Sequence, residues 1–207
     1  MNFDLVKNIE NCYITIPQML YYSHIPAALI SLLIGLFVFV KNKNLVGKIL
    51  LYVSIIFSSW VACNLYLWLG HDSRLIMVVW SLFGVLNSFL FIFCLYLAYV
   101  FFNKKDVSFK VKLLFCILIL PVVIFTYYSL LGFDVASCEA IENSDYFNYV
   151  FALEFFISIW ILILTINKCR KSEAEIKKQI VAFAIGIELF LLSFFVTGFL
   201  ASYLVEK

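Results

Sequence analysis

The fold is decided by residues 75–102, LIMVVWSLFGVLNSFLFIFCLYLAYVFF, which are followed at once by the basic stretch NKKDVSFKVK at residues 103–112. A helix of about 20 apolar residues crosses the hydrocarbon core of a bilayer. Residues 75–102 therefore predict a transmembrane helix with length to spare. The same alternation of a long apolar run and a short polar gap recurs along the chain of 207 residues. The sequence predicts an all-α, polytopic transmembrane helix bundle.

The composition supports lipid as the solvent for this chain. It is 65% apolar and 19% aromatic, whereas soluble domains average about 45–50% apolar residues. Residues 1–18 are polar and predict an exported N-terminal segment, and residues 19–204 predict one helical bundle with six spans. The predicted spans are Met19–Val40, Ile49–Leu69, Leu75–Phe102, Leu113–Leu131, Tyr146–Ile166 and Gln179–Leu204.

The positive charges predict the orientation of the bundle. Three of the gaps, Lys41–Lys48, Lys104–Lys112 and Lys168–Lys178, hold 12 of the 15 Lys and Arg residues. Lys and Arg in short loops are retained on the cytoplasmic side, so these gaps predict a cytoplasmic face and an N-terminus outside. The intervening gaps are acidic, above all residues 132–145, which carry four acids and no base. No stretch is basic enough to predict nucleic-acid binding.

Two carboxyl groups interrupt the apolar spans. Glu154 lies in the predicted fifth helix and Glu188 in the sixth, and we expect them to lie within one to two helical turns of each other in depth. An ionised carboxylate in hydrocarbon costs several kcal/mol, so such residues face the interior of a bundle. If the two face each other, we expect at least one to be protonated. They form either a proton-responsive or polar-ligand site, or a hydrogen bond that fastens two helices.

A second set of candidate site residues lies on the second and third helices. Trp60, Asn64 and Trp68 recur at four-residue spacing and share one helix face, and Trp80 and Asn87 lie on the next helix. Polar amides in a membrane find partners across helices. Asn64 and Asn87 therefore either bond to each other as structural support or hold a ligand in an aromatic-lined cavity.

Three further residues are candidates at the outer face. His24 is either an ordinary interfacial histidine or a pH sensor, because an unperturbed imidazole titrates near neutral pH. Cys12 and Cys138 are either a disulfide in an oxidising compartment or two unrelated thiols. The sequence contains no metal-ligand cluster, no P-loop and no nucleophile–base motif, so we expect no metal, no cofactor and no catalytic residue in this chain.

The order of these features resembles the N-terminal seven-transmembrane sensor region of bacterial membrane histidine kinases, over residues 21–204. The segments that carry the resemblance are Val38–Asn44, Ser58–Trp60, Trp80, Ala98–Lys105, Leu120–Pro121, Glu175–Ile180 and Thr197–Gly198. The resemblance implies a signal-transduction module of a two-component system, located in the bacterial inner membrane. It also implies a homodimer formed through a cytoplasmic region, with an unknown signal as input.

The chain departs from that family in two respects. It has six predicted spans where the family has seven, and it has no phospho-accepting histidine region or ATP-binding segment. Six crossings that start outside end outside, whereas a kinase needs cytoplasmic ATP. We therefore expect a seventh helix and a kinase core beyond Lys207.

Two other functions compete with the sensory module. The first is a small proton-coupled transporter or permease subunit that uses Glu154 and Glu188, although the sequence has no internal repeat of the kind many transporters show. The second is an integral-membrane enzyme, which ranks last because no catalytic motif is present.

Overall fold

The structure is a computed structural model that describes residues 19–70, 72–134 and 139–205, with side chains for residues 21–70, 72–134 and 139–196. Within these residues the chain forms six long helices, and every one is long and apolar enough to cross a membrane. The helices are α1 (Met19–Lys41), α2 (Leu45–Leu69), α3 (Ser73–Asn103), α4 (Phe109–Phe125), α5 (Ser144–Cys169) and α6 (Ala174–Val205). The predicted all-α, six-span bundle is confirmed.

Several helices extend beyond their predicted apolar spans. Helix α2 begins four residues before Ile49 and α6 begins five residues before Gln179. Hydropathy marks the part of a helix that lipid surrounds, whereas capping groups mark where the helix begins. The Asn44 side chain accepts a hydrogen bond from the backbone of Gly47, at 2.9 Å, and so fixes the start of α2.

Helix α3 is the central element of the bundle. It packs against α2, α4, α5 and α6, and the largest apolar cluster of the protein is centred on its buried residues, such as Leu90, Phe91 and Leu95. Helix α1 is peripheral and packs chiefly against α2, where a Cβ on Gly35 would meet the Ser54 hydroxyl at 2.6 Å. Small residues at such a contact let the two helix backbones approach closely.

A small β-hairpin covers one end of α3 and was not predicted. Helix α4 ends at Phe125 rather than at Leu131, and after a short 3₁₀ turn the chain forms β1 (Leu130–Asp134), paired antiparallel with β2 (Glu139–Glu142). The apolar residues of the hairpin that face α3 pack on Met77 and Trp80. Residues 130 and 131 are apolar enough to look like a continued span, which is why the prediction was wrong here.

The hairpin and the basic gaps lie at opposite ends of the bundle. Each gap predicted to be cytoplasmic joins two helices at one end, while the hairpin and the start of α5 carry Asp134, Glu139, Glu142 and Asp145 at the other. The charge asymmetry seen in the sequence therefore becomes an asymmetry between the two faces of the fold. Residues 1–18, with Cys12, and residues 135–138, with Cys138, lie outside the described residues, so the disulfide stays a prediction.

Candidate functional site

Glu154 lies inside the bundle, on the face of α5 that packs against α3. Its side chain has no exposed area. The buried positions of α5 include Val150, Leu153, Ile157 and Ile161, which recur at three- and four-residue spacing and form one apolar face. Glu154 lies beside Leu153 on that face, so the helix that buries the apolar residues buries the carboxyl group with them.

The neighbour of Glu154 on α3 is Asn87. The Asn87 side chain interacts with the Glu154 carboxyl group. No hydrogen bond of ordinary geometry joins the two side chains, because neither Glu154 oxygen has a hydrogen-bond partner in the described part of the chain, and neither has the buried Asn87 Oδ1. Burying a polar group without a hydrogen bond costs about 1–3 kcal/mol. The α3–α5 contact therefore contains buried polar groups that reduce the stability of the bundle.

Ser88 lies on the same face of α3 as this contact. Gly84 is one turn earlier, and a Cβ there would meet the Tyr146 ring of α5 at 2.8 Å, so the Gly84 face of α3 packs on α5. Ser88 follows Gly84 by four residues and therefore shares its face. Its side chain is fully buried, and its hydroxyl has no hydrogen-bond partner among the described residues.

Helices α3 and α5 run in the same direction through the bundle. Their contacts advance together, from Gly84 with Tyr146 to two hydrogen bonds near the basic face. Trp160 Nε1 donates to the Tyr99 hydroxyl at 3.1 Å, and Lys168 Nζ donates to Asn103 Oδ1 at 3.2 Å. A change in the α3–α5 contact at Glu154 is therefore connected to the basic face through a continuous packed interface.

Glu188 has different surroundings on α6. It is half-buried, with one buried oxygen that has no partner in the described part of the chain. Its electrostatic neighbour on α3 is Cys94. Cys94 lies seven residues beyond Asn87, which is about 10 Å along a helix. The predicted depth difference of one to two turns agrees with this, but the two carboxyl groups contact different turns of α3 rather than each other.

The predicted pairing of Asn64 with Asn87 is wrong. Asn64 Oδ1 lies 3.2 Å from His24 Nε2, so the imidazole donates to Asn64 in its Nε2–H tautomer, and Ser23 Oγ lies 2.8 Å from His24 Nδ1. Helix α1 lies on the side of α2 that Asn64 occupies, and this gives the amide a closer partner than α3 does. His24 therefore joins α1 to α2.

The predicted tryptophans also separate. Trp60 packs between Phe83 and Phe194, at ring distances of 5.4 and 4.8 Å. Trp68, two turns further along α2, is 41% exposed. Trp80 Nε1 donates to Glu142 Oε1 of the hairpin at 2.9 Å. Trp60 and Trp80 therefore contact different elements, α3 and α6 in the case of Trp60 and the hairpin in the case of Trp80.

Tyr146 and Tyr149 of α5, which the sequence did not single out as site residues, hold α5 against α4 next to the α3–α5 contact. The Tyr146 hydroxyl donates to the Val122 carbonyl at 3.3 Å, and the Tyr149 hydroxyl donates to the Leu118 carbonyl at 3.0 Å. Leu118 and Val122 lie within one turn of Pro121, so these hydrogen bonds join α5 to α4 close to the proline. The signal available in the sequence was Gly84, whose missing side chain makes room for Tyr146.

An ion pair closes the loop between α3 and α4 at the basic face. Lys112 Nζ lies 2.6 Å from Asp106 Oδ2, and the Tyr96 hydroxyl donates to Asp106 Oδ1 at 2.7 Å. The hydrogen bond from Lys112, followed by the one from Tyr96, lowers the pKa of the Asp106 carboxyl group. This loop is exposed, so the pair orders the chain without contributing much stability.

No group of three or more His, Cys, Asp and Glu side chains comes together as a metal site among the described residues. Comparison with protein-family models, with curated proteins and with solved structures finds no match for this chain. The candidate site therefore depends on its own geometry. Its residues are Glu154 of α5 with Asn87 and Ser88 of α3, and we call them the α3–α5 polar centre.

Proposed function

We propose that the chain is a membrane-embedded sensory module, and that the α3–α5 polar centre is the element whose chemical state it reports. One observation carries this proposal. Glu154 and Asn87 interact across two facing helices inside an otherwise apolar bundle, and their buried oxygens have no hydrogen-bond partner in the described part of the chain. A buried polar group with unsatisfied hydrogen bonds makes one helix packing unfavourable unless another species completes it. Such a contact responds to its surroundings.

A proton on Glu154 supplies the contact with a donor. The carboxylic acid then has an O–H that can donate to Asn87 Oδ1, which joins α5 to α3 by a hydrogen bond. The ionised form has only acceptors to offer, so it can be joined to Asn87 only through the amide N–H, and it carries a charge into a medium of low dielectric constant. The two forms therefore favour two packings of α3 against α5, and the signal is a shift in the population of these packings.

Other ionisable groups near the middle of the bundle are few. On the helices that pack against α5 they are Cys94 of α3, Cys116 of α4 and Glu188 of α6, besides tyrosines. None of these is a base that would share a proton with Glu154 across a hydrogen bond. We therefore assign the response to Glu154 with Asn87.

The output is carried toward the basic face. There, α3 and α5 are joined by the Trp160–Tyr99 and Lys168–Asn103 hydrogen bonds. We propose that this face is cytoplasmic and that the N-terminus is outside, in a bacterial inner membrane, as in the family of sensor kinases that the sequence resembles. The positive-inside rule supports this orientation.

Distances between labels at the basic face test the sensory proposal. Nitroxide labels at Lys105 and Lys171, in a variant without native cysteines in nanodiscs, report the separation of the ends of α3 and α5. We expect the distance distribution to change between acidic and alkaline pH, to lose that change in Glu154→Gln and to keep it in Glu188→Gln. A distribution that does not depend on pH would overturn the proposal.

Impermeant thiol reagents test the orientation separately. Single cysteines at Lys43 and at Glu139, on opposite faces of the bundle, are exposed to the reagent in intact spheroplasts and after lysis. We expect labelling of Glu139→Cys in intact spheroplasts and labelling of Lys43→Cys only after lysis. The reverse pattern would place the basic face outside.

A proton-coupled transporter is the second candidate function. Its support is that Glu154 and Glu188 both present unpartnered oxygens to α3, about two turns apart in depth. Purified protein in liposomes with a pH-sensitive dye distinguishes the two candidates. Proton flux that is present in the natural sequence and lost in Glu154→Gln would overturn the sensory proposal.

A further inference from the structure

The α3–α5 polar centre contains more unpartnered oxygen atoms than one proton can satisfy. Both oxygens of Glu154, Oδ1 of Asn87 and Oγ of Ser88 are buried and have no hydrogen-bond partner in the described part of the chain. Glu154 and Ser88 are both fully buried. One added proton pairs a single Glu154 oxygen with a single acceptor, and it leaves the second Glu154 oxygen without a donor of its own.

We infer that the α3–α5 polar centre binds a monovalent cation of the size of Na⁺, in exchange for the proton on Glu154. The inference rests on the proposed function, since it names a second species that completes the same centre. The four oxygens come from a carboxylate, an amide and a hydroxyl group. Hard cations without directional preference take ligands of these types.

The charge of the centre selects a monovalent ion. Glu154 is the one acidic residue of the centre, so a bound monovalent cation leaves the site neutral. A divalent cation would leave a net positive charge in a medium of low dielectric constant, which is costly. Transition metals prefer imidazole or thiolate ligands. The thiol closest to the centre on α3 is Cys94, about two turns from Asn87.

The exchange is balanced in charge and in atoms. The carboxylic acid of Glu154 releases its proton to solvent, and the carboxylate that remains accepts the cation in its place. Binding a cation therefore releases one proton, and the apparent affinity for the cation falls as pH is lowered. Where the protonated form dominates, the apparent affinity falls by about tenfold for each unit of pH.

Thermal unfolding in detergent tests this inference. The melting temperature is measured in NaCl and in N-methylglucamine chloride of equal ionic strength, at alkaline and at mildly acidic pH. We expect Na⁺ to raise the melting temperature with the logarithm of its concentration at alkaline pH, as a ligand of the folded state does. At acidic pH we expect the same rise to need a higher Na⁺ concentration.

Variants locate the effect. Glu154→Gln keeps the size of the side chain but removes the charge, and we expect it to abolish the difference between Na⁺ and N-methylglucamine. Glu188→Gln is the matched control on α6 and keeps the difference. Ser88→Ala removes one oxygen ligand and weakens the apparent Na⁺ affinity. Ser81→Ala on the same helix leaves it unchanged, because the Ser81 hydroxyl already donates to the Val78 carbonyl.

Two results would overturn the inference. One is an equal melting temperature in the two salts at every pH, and the other is a Na⁺ effect that persists in Glu154→Gln. Neither result affects the sensory proposal, because its label-distance measurement, made in N-methylglucamine chloride, depends on the proton alone. If the distances respond to pH while the melting temperature ignores Na⁺, the centre binds protons only.

Discussion

The α3–α5 contact around Glu154 is closed, whereas the α6 surface around Glu188 is half open. Glu154 has no exposed area and both of its oxygens lack partners, while Glu188 is half-buried and one oxygen lacks a partner. Both acids interrupt apolar helices in the same way. The difference shows that packing against a facing helix decides how far each acid is buried, since an acid in an apolar span is common to both sites.

Two glycines, Gly84 on the α3–α5 contact and Gly186 near Glu188 on α6, give the largest expected contrast. A Cβ on Gly84 would meet the Tyr146 ring at 2.8 Å, whereas a Cβ on Gly186 meets nothing within 4 Å. We expect Gly84→Val to lower the free energy of unfolding by about 3 kcal/mol, since it overpacks the α3–α5 contact. Gly186→Val serves as the control and should change it by less than about 1 kcal/mol. Equal losses in reversible unfolding would contradict the difference in packing.

Leucine substitutions test the cost of each acid. Glu154→Leu replaces an unsatisfied buried carboxyl group with an apolar side chain, so we expect it to raise the free energy of unfolding by about 2 kcal/mol. Glu188→Leu should have a smaller effect, because its side chain is half-buried. The gain in stability should accompany loss of the pH-dependent label distance. If Glu154→Leu destabilises the protein, then Glu154 is a structural hydrogen-bonding residue instead.

The hairpin can be compared with the polar centre, because both contact α3. The hairpin packs nearer the start of that helix. Trp80→Phe removes the indole hydrogen bond to Glu142, and we expect a loss of about 1 kcal/mol with faster amide hydrogen exchange in β1 and β2. Trp68→Phe is the matched control, since Trp68 is exposed. Unchanged exchange in Trp80→Phe would show that apolar packing alone holds the hairpin.

Substitution of Asp106 should have the smallest effect on stability. It distinguishes the titration of a surface carboxyl group from the titration of the buried acids. Its hydrogen bond from Lys112 lowers its pKa, so its contribution to stability is present above the unfolded pKa, near 3.8, and is lost as the pH falls below that value. Asp106→Asn should flatten this acidic limb of thermal stability and leave the response of Glu154 intact. A changed response at Glu154 would mean that the two regions are coupled.

The sequence predicted the helices better than it predicted their contacts. Six apolar runs separated by charged gaps were enough to fix the number of spans, because lipid leaves the chain few alternatives. Glu154 was also predicted correctly as a residue of the bundle interior, because a charge is expensive at that depth. These predictions need only the composition of one helix at a time.

The sequence did not predict correctly which side chains bond to each other across helices. Asn64 pairs with His24 rather than with Asn87, and Trp80 bonds to a hairpin residue. The spacing along α2 defines which residues share a face, but the identity of the facing helix depends on how all six helices rotate and pack. The hairpin itself was missed because Leu130 and Leu131 read as the end of a span.

The protonation state of Glu154 is the most direct test of the central claim, and difference infrared spectroscopy in nanodiscs measures it. We predict that the carbonyl band of a protonated carboxylic acid is lost on going from acidic to alkaline pH, and that Glu154→Gln removes this change while Glu188→Gln keeps it. A band change that survives in Glu154→Gln and disappears in Glu188→Gln would contradict the account and move the responsive site to α6.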